Sequence, residues 1–157
     1  MKRVVVTGVG LVTPLGCGTA TNWSKLITGV SGARNITRFD ASSYKCQVAC
    51  EVPQEPHLPD SFIAENWIDK KEIKKIDEFI KFSLAAAEEA FLQSKLINIE
   101  DPASNRAGCI IGSGMGGLPG IEETSISFEG GKKISPFFIT GRIINMSSGY
   151  LSIKYNL

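Results

Sequence analysis

A glycine-rich segment is the first candidate for chemistry in this sequence. It reads G-S-G-M-G-G over residues 112–117 and directly follows the short apolar run 109–111. Glycine allows positive φ and has no Cβ, so a ligand or a second chain can approach such a backbone closely. Met115 is the one large side chain in the segment, which makes it a candidate contact residue.

The residues after this segment argue against one of its three interpretations, a phosphate-binding loop. A Walker-type phosphate loop needs Lys followed by Ser or Thr after its last glycine, and Leu118, Pro119 and Gly120 stand there instead. The segment is therefore interpreted either as a tight strand-to-helix turn without a ligand, or as backbone that packs against an apolar pocket with Met115 as its wall.

A second pair of glycines, Gly8 and Gly10, follows the β-branched run 4–6 and invites a dinucleotide-binding interpretation. That fingerprint needs a third glycine three residues later, at the start of a helix, and Thr13 stands there. No acidic residue closes a second strand at the expected distance. The pattern therefore argues against a nucleotide site.

Two short segments concentrate positive charge in a chain whose positive and negative charges are otherwise nearly equal in number. The first is K-K-E-I-K-K over residues 70–75, and the second ends in Lys132 and Lys133. A solvated helix face is the simplest explanation for such clusters when they are considered alone.

Cysteine and histidine usage gives no metal or catalytic pattern. The cysteines are Cys17, Cys46, Cys50 and Cys109, and the one histidine is His57, between two prolines. A chain with enough apolar mass for a core does not depend on disulfides, so we expect free thiols. No metal site and no cofactor are expected.

Length and composition indicate one ordinary globular domain. The chain has 157 residues, 43% hydrophobic and 21% charged, with a net charge of +1. This charge argues against a nucleic-acid binder, and no apolar run is long enough to span a membrane. The N-terminus lacks a signal-peptide pattern, so the cytoplasm is the expected compartment.

The hydrophobic pattern predicts an α/β fold. The runs 4–6 and 109–111 are typical of parallel strands buried on both faces. Further patterns predict the following elements: helices at 21–29, 62–67, 70–77, 78–95 and 121–128, a final helix after Thr140, and a strand within 44–52. Alanines in 85–90 indicate close helix packing, and small residues at 147–149 suit a subunit interface.

Taken together, several motifs resemble the N-terminal part of the β-ketoacyl-[acyl-carrier-protein] synthases, in the thiolase-like superfamily. The resemblance spans the whole chain. It rests on R-V-V-V-T-G-V-G at 3–10, T-P-L-G at 13–16, G-V-S-G at 29–32, F-D at 39–40, the glycine segment 112–117, I-S-P-F-F at 134–138 and N-M at 145–146. Thr140 departs from the pattern, because a proline is expected there.

The resemblance implies the N-terminal half of a thiolase-like fold, in which residues 1–157 form a single domain. The family's nucleophilic cysteine and its two catalytic histidines are expected beyond Leu157. No catalytic residue is therefore assigned, and we expect the chain alone to be inactive.

The family condenses an acyl thioester with malonyl-carrier protein in fatty acid elongation, as a homodimer. The resemblance implies that Met115 lines the acyl pocket and that Phe137 and Phe138 reach the partner subunit's pocket. It also assigns acyl carrier protein as the partner of five lysines. These are Lys71, Lys74, Lys75, Lys132 and Lys133.

Two other functions remain open at this point. The chain could be a non-catalytic module that binds carrier protein or a complete synthase, or a nucleotide-binding α/β domain. Acyl-chain preference and oligomeric state do not follow from the sequence.

Overall fold

Five helices and two short antiparallel strand pairs make up the regular structure of the described chain. The computed structural model describes residues 3–96 and 106–157. The helices are α1 Thr19–Ile27, α2 Lys70–Ile73, α3 Glu78–Ser94, α4 Leu118–Glu129 and α5 Met146–Tyr155, with a 3-10 turn at Ala64–Asn66. Strand β1 Val12–Thr13 pairs with β2 Gly16–Cys17, and β3 Arg34–Asn35 pairs with β4 Val48–Ala49.

The core lies between α3 and α5. Ile80 and Leu84 of α3 are buried with Leu151 and Tyr155 of α5. The ring of Tyr155 stacks on that of Phe91 with 3.9 Å between centroids. This pairing sets the position of the last helix against the longest one.

The alanine-rich face of α3 receives the N-terminal segment. A Cβ at Gly8 or Gly10 would lie closer than 3.0 Å to the carbonyl oxygen of Ala90 or Ala86. Only residues without a Cβ can pass so close to a helix backbone. The close packing predicted from the alanines is therefore confirmed, and its partner is this pair of glycines.

The predicted burial of residues 4–6 and 109–111 on both faces is wrong for this chain. Val4 is 92% exposed and Ile110 is fully exposed, and neither segment joins a ladder among the described residues. Cys109 and Ile111 pack against the α3–α5 core, while Ile110 points away from it. A β-branched run needs a hydrogen-bonded neighbour on each side to become an interior strand, and here none is paired.

Three polar side chains of α3 bind other segments of the chain. Glu89 accepts hydrogen bonds from the backbone N–H of Leu11 at 3.0 Å and of Thr19 at 2.6 Å. Gln93 accepts from the N–H of Val9 at 2.6 Å, and Glu88 accepts from two α5 side chains. These bonds tie the N-terminal segment and α1 to α3.

Helix boundaries follow the predictions closely for the longest helix and less closely elsewhere. The predicted 70–77 helix ends at Ile73, and the predicted 62–67 helix is a 3-10 turn at Ala64–Asn66. The predicted 78–95 helix is observed as α3, whereas α1 begins at Thr19 rather than Thr21. The final helix begins at Met146, after a series of turns. Ser147, predicted to lie on a subunit interface, is 1% exposed within the chain itself.

No helix in the described ranges is both long and apolar enough to cross a bilayer.

Candidate functional site

The glycine segment runs from 112 to 117 and leads into α4. Gly116 has φ +71°, and its N–H donates to Ser113 Oγ at 3.2 Å. Met115, directly before this turn, is 70% exposed. The structure therefore presents the predicted acyl-contacting methionine on an open, tightly turned loop.

The end of this loop is fixed by two residues that the sequence analysis did not single out, Asp77 and Arg142. The N–H of Gly117 donates to the carbonyl of Arg142 at 2.8 Å. The N–H of Gly120 donates to Asp77 Oδ2 at 3.0 Å, and the same oxygen lies 3.5 Å from Arg142 Nε. An Asp before an apolar helix is a recognisable N-cap, but its pairing with a distant arginine has no sequence signal.

The predicted aromatic pair lies on a turn ahead of α5. The N–H of Phe138 donates to the carbonyl of Ser135 at 3.0 Å, and the carbonyl of Phe137 accepts from Gly141 at 2.9 Å. Phe137 is 42% exposed, and Phe138 is half-buried. Phe137 is thus partly available for contact.

Lys75 connects the first basic cluster to this aromatic turn. Its Nζ lies 4.9 Å from the ring centroid of Phe137 and 2.5 Å from Glu72 Oε1. A cation at this distance from a ring is attracted to the ring face. Two predicted sites, one basic and one aromatic, therefore meet at a single point.

The other predicted lysines are exposed. Lys71 lies in α2 and Lys74 follows it, while Lys132 and Lys133 follow the end of α4. The N–H of Lys132 donates to the carbonyl of Ser127 at 3.0 Å, which folds this second basic turn back onto α4.

All four cysteines are free. Burial raises the pKa of the Cys17 thiol, with the charge of Glu89 adding to the effect, and burial also raises the pKa of Cys109. Cys46 and Cys50 are exposed. A nucleophilic cysteine needs a stabilised thiolate, and the shifts at Cys17 and Cys109 go in the opposite direction.

The Gly8 and Gly10 pair has a packing role that accounts for its spacing. Both residues lie against carbonyl oxygens of α3, which leaves no room at their Cα atoms for a phosphate. These contacts argue against the nucleotide-binding interpretation, which depended on this pair.

An open apolar groove of about 590 Å³ lies beside α1, lined in part by Pro14, Trp23 and Leu26. Its lining contains none of the three residues that were predicted to contact the acyl chain.

Comparison with known proteins gives a consistent result. The family model described as the N-terminal domain of beta-ketoacyl synthase matches residues 1–157. The 3-oxoacyl-[acyl-carrier-protein] synthase 2 of Rhizobium meliloti (strain 1021) is 40% identical, over 100% of this chain and 38% of its own length. The protein of the same name from Coxiella burnetii (strain RSA 493 / Nine Mile phase I) is 45% identical, over 99% of this chain and 36% of its own length.

Solved structures share the fold. A chain from a type II PKS acyl-carrier protein in complex with its ketosynthase bound to the hexaketide has a TM-score of 0.69 and 28% identity, over 99% of this chain and 40% of that one. A beta-ketoacyl synthase from Burkholderia phymatum STM815 has a TM-score of 0.73 and 22% identity, over 100% of this chain and 38% of that one.

These matches confirm the predicted fold class, the N-terminal half of a thiolase-like α/β fold. The chain spans little more than a third of the length of the curated relatives it matches. It belongs to the beta-ketoacyl synthase family, and it corresponds to that family's N-terminal domain.

Proposed function

We propose that this chain provides carrier-protein-binding and acyl-binding surfaces of a 3-oxoacyl-[acyl-carrier-protein] synthase. Such an enzyme is an acyltransferase that condenses an acyl thioester with malonyl-carrier protein in fatty acid elongation. Two relatives that carry this name are 40% and 45% identical to it along essentially its whole length.

The observation that carries the proposal is the contact between Lys75 and Phe137. It joins the segment directly after α2, next to the exposed Lys71 and Lys74, to the aromatic turn at 4.9 Å. In the proposed function the lysines attract an acidic carrier protein, while the aromatic turn lies beside the path of its acyl cargo. Electrostatic contacts of this kind raise association rates and orient the partner.

The second basic turn, with Lys132 and Lys133, extends the same proposed carrier surface along the sequence. Phe137 and Phe138 follow shortly after Lys133 in the sequence. They are proposed to reach the pocket of a partner subunit in a homodimer. The partial exposure of Phe137 supports this role.

Met115 is proposed to act on the acyl chain itself. Its flexible thioether sits on a glycine loop whose far end is held at Gly117 by a hydrogen bond to the Arg142 carbonyl. A long unbranched side chain adapts its shape to different apolar ligands.

The condensation itself is proposed to need residues that these 157 do not supply. The pKa values of Cys17 and Cys109 are raised, which disfavours the thiolate. One histidine cannot perform two catalytic roles.

The carrier-protein proposal is tested by fluorescence anisotropy with labelled acyl carrier protein at low salt. Lys71→Glu and Lys74→Glu are each expected to weaken binding about fivefold, which corresponds to about 1 kcal/mol for an exposed charge contact. Lys45→Glu is the matched control, because Lys45 is exposed and the change in net charge is equal. Equal affinities for all three variants would contradict the proposal.

A second candidate, a non-catalytic module that binds a complete synthase, is favoured by one observation. Val4 and Val6 are 92% and 82% exposed, and Ile110 is fully exposed. If such a synthase covers these residues, it should displace a hydrophobic dye bound to the chain. Unchanged dye fluorescence on adding a relative's synthase would exclude this role.

A further inference from the structure

Asp77 lies at the junction of three elements. It precedes α3 and is 8% exposed. Its Oδ1 accepts from the N–H of Glu78 at 2.7 Å, and its Oδ2 accepts from the N–H of Gly120 in α4 at 3.0 Å. Its own N–H donates to the carbonyl of Gly141 at 3.1 Å. One residue therefore holds the start of α3, the start of α4 and the turn before α5.

Arg142 completes this arrangement from the other side. Its side chain is 19% exposed, and its Nε lies 3.5 Å from Asp77 Oδ2, too far for a good hydrogen bond but close enough for an ion pair. Its Nη1 donates to the carbonyl of Gly141 at 3.2 Å, while its own carbonyl accepts from Gly117. A mostly buried charge pair is costly to break, since the remaining charge is left without a partner.

The close approach of the loop to this ion pair requires glycine at three positions. A Cβ at Gly117 would lie 2.7 Å from both Asp77 Oδ2 and Arg142 Cδ, and one at Gly120 would lie 2.5 Å from Asp77 Oδ2. A Cβ at Gly116 would lie 2.6 Å from the Arg142 carbonyl. The loop that carries Met115 is thus pressed directly onto the ion pair, with no side chain between them.

The same pair fixes the aromatic turn. Gly141, whose carbonyl accepts from Asp77, donates its N–H to the carbonyl of Phe137 at 2.9 Å. A Cβ on Gly141 would lie 3.0 Å from that carbonyl. Displacement of Asp77 would therefore move the Met115 loop and the Phe137 turn relative to each other.

We propose that Asp77 is a positioning residue that sets the placement of the Met115 loop relative to the Phe137–Phe138 turn. It does so through Gly120 and Arg142 on one side and Gly141 on the other. The consequence for acyl-chain selection rests on the proposed function, but the positioning role does not.

The test uses two Asp77 variants of the chain. Asp77→Asn keeps the volume but loses the charge and one acceptor. Asp77→Ser combined with Arg142→Met keeps a capping oxygen for α3 and removes both charges, so no unpaired charge remains to unfold the chain. Asp69→Asn is the control, because Asp69 caps α2 through Lys71 at 2.7 Å and is exposed.

Amide hydrogen exchange and the Met115 methyl NMR signal give readouts that a uniform loss of stability would not reproduce. In both Asp77 variants we expect the Gly120 amide to exchange at least about tenfold faster, because it loses a hydrogen bond to a charged acceptor. The Gly117 amide should also exchange faster, because the Arg142 carbonyl that accepts from it is no longer held by the ion pair. The Met115 methyl signal should shift, while the ring signals of Tyr155 in the α3–α5 core stay in place. The Asp69 variant should leave all of these signals unchanged.

Two results would overturn the proposal. One is an unchanged Met115 signal with exchange at Gly120 within about twofold of the parent. The other is an equal increase in exchange throughout α3, α4 and α5, which would assign Asp77 a general stabilising role. If the local changes occur but an active synthase carrying Asp77→Asn keeps its chain-length profile, the positioning role stands and the proposed acyl role of the two loops fails.

Discussion

Lys75 belongs to the basic cluster, but its ammonium contacts other residues of the chain. Its ammonium is held by Glu72 at 2.5 Å and by the Phe137 ring, with 28% of its side chain exposed. Lys71 and Lys74 are more exposed and better suited to meet a partner. Sequence alone marked all three as one basic cluster, because side-chain pairing across the chain leaves no local pattern.

In an active synthase containing this chain, Met115→Phe should shorten the longest acyl group that is elongated and spare short ones, since a larger rigid side chain reduces pocket depth. A product profile measured by mass spectrometry across acyl lengths gives the result. Met115→Leu, which nearly conserves volume, is the control.

An equal loss of activity for short and long acyl groups would contradict this role for Met115. The residue is 70% exposed, so we expect the substitution to change the free energy of unfolding by less than about 0.5 kcal/mol. A thermal melt of the variant separates a pocket effect from misfolding.

Among the helices and strands, α3 is the one against which most other segments pack. It packs on α5, receives Gly8 and Gly10 on its alanine face, and holds α1 through Glu89. The sequence predicted this helix almost to its ends, because amphipathic spacing and an N-cap are local signals. The sequence did not reveal the hydrogen bonds that Glu88, Glu89 and Gln93 form, since their partners lie far away along the chain.

The glycine contacts on α3 allow a matched pair of substitutions. Gly10→Ala should lower the free energy of unfolding by about 1 to 3 kcal/mol, because the new methyl group would collide with the Ala86 carbonyl of a fixed helix backbone. Gly112→Ala should have a small effect, since no atom lies within 4 Å of the new Cβ.

Urea denaturation of both variants measures these differences. If Gly10→Ala proves as stable as Gly112→Ala, the close approach to α3 is not required for the fold.

The Glu88 contact between α3 and α5 predicts a dependence of stability on pH. Burial opposes ionisation of Glu88, but hydrogen bonds from Lys154 and Tyr155 hold its pKa below the usual 4.5. A carboxylate with a lowered pKa stabilises the fold above its unfolded-state pKa, and this contribution disappears as pH falls through the folded-state value. Acid should therefore weaken the attachment of α5.

Glu88→Gln should lower the free energy of unfolding at pH 7 by about 1 kcal/mol, which corresponds to about 3 °C in Tm for a chain of this size. Below pH 4 the difference from the parent should shrink. Thermal melts from pH 7 to pH 3 give the comparison, with exposed Glu122→Gln as the control. A difference that stays constant across this range would contradict the assignment.

Across the whole molecule, the observed structure departs most from the sequence-based prediction at the strand-like runs 4–6 and 109–111. Their residue types indicate interior strands, yet Val4 and Ile110 are largely or fully exposed. Local composition predicts what a segment prefers, whereas a sheet also needs neighbouring strands to pair with. Each square ångström of apolar surface left in water forgoes about 25 cal/mol.

The family and fold class were predictable because they depend on several motifs spread along the chain. Pairings between distant residues, such as Asp77 with Arg142, were not. They depend on how the glycine loop and the turn before α5 meet in three dimensions.

The proposed function implies that this chain binds acyl carrier protein without itself accepting the acyl group. Native mass spectrometry of the chain with acyl-loaded carrier protein, at low ionic strength and with malonyl-carrier protein present, tests both parts at once. We predict a non-covalent complex of one chain with one carrier protein, and an unchanged mass for the chain. Absence of the complex, or an acyl group covalently attached to any of the four cysteines, would contradict the claim.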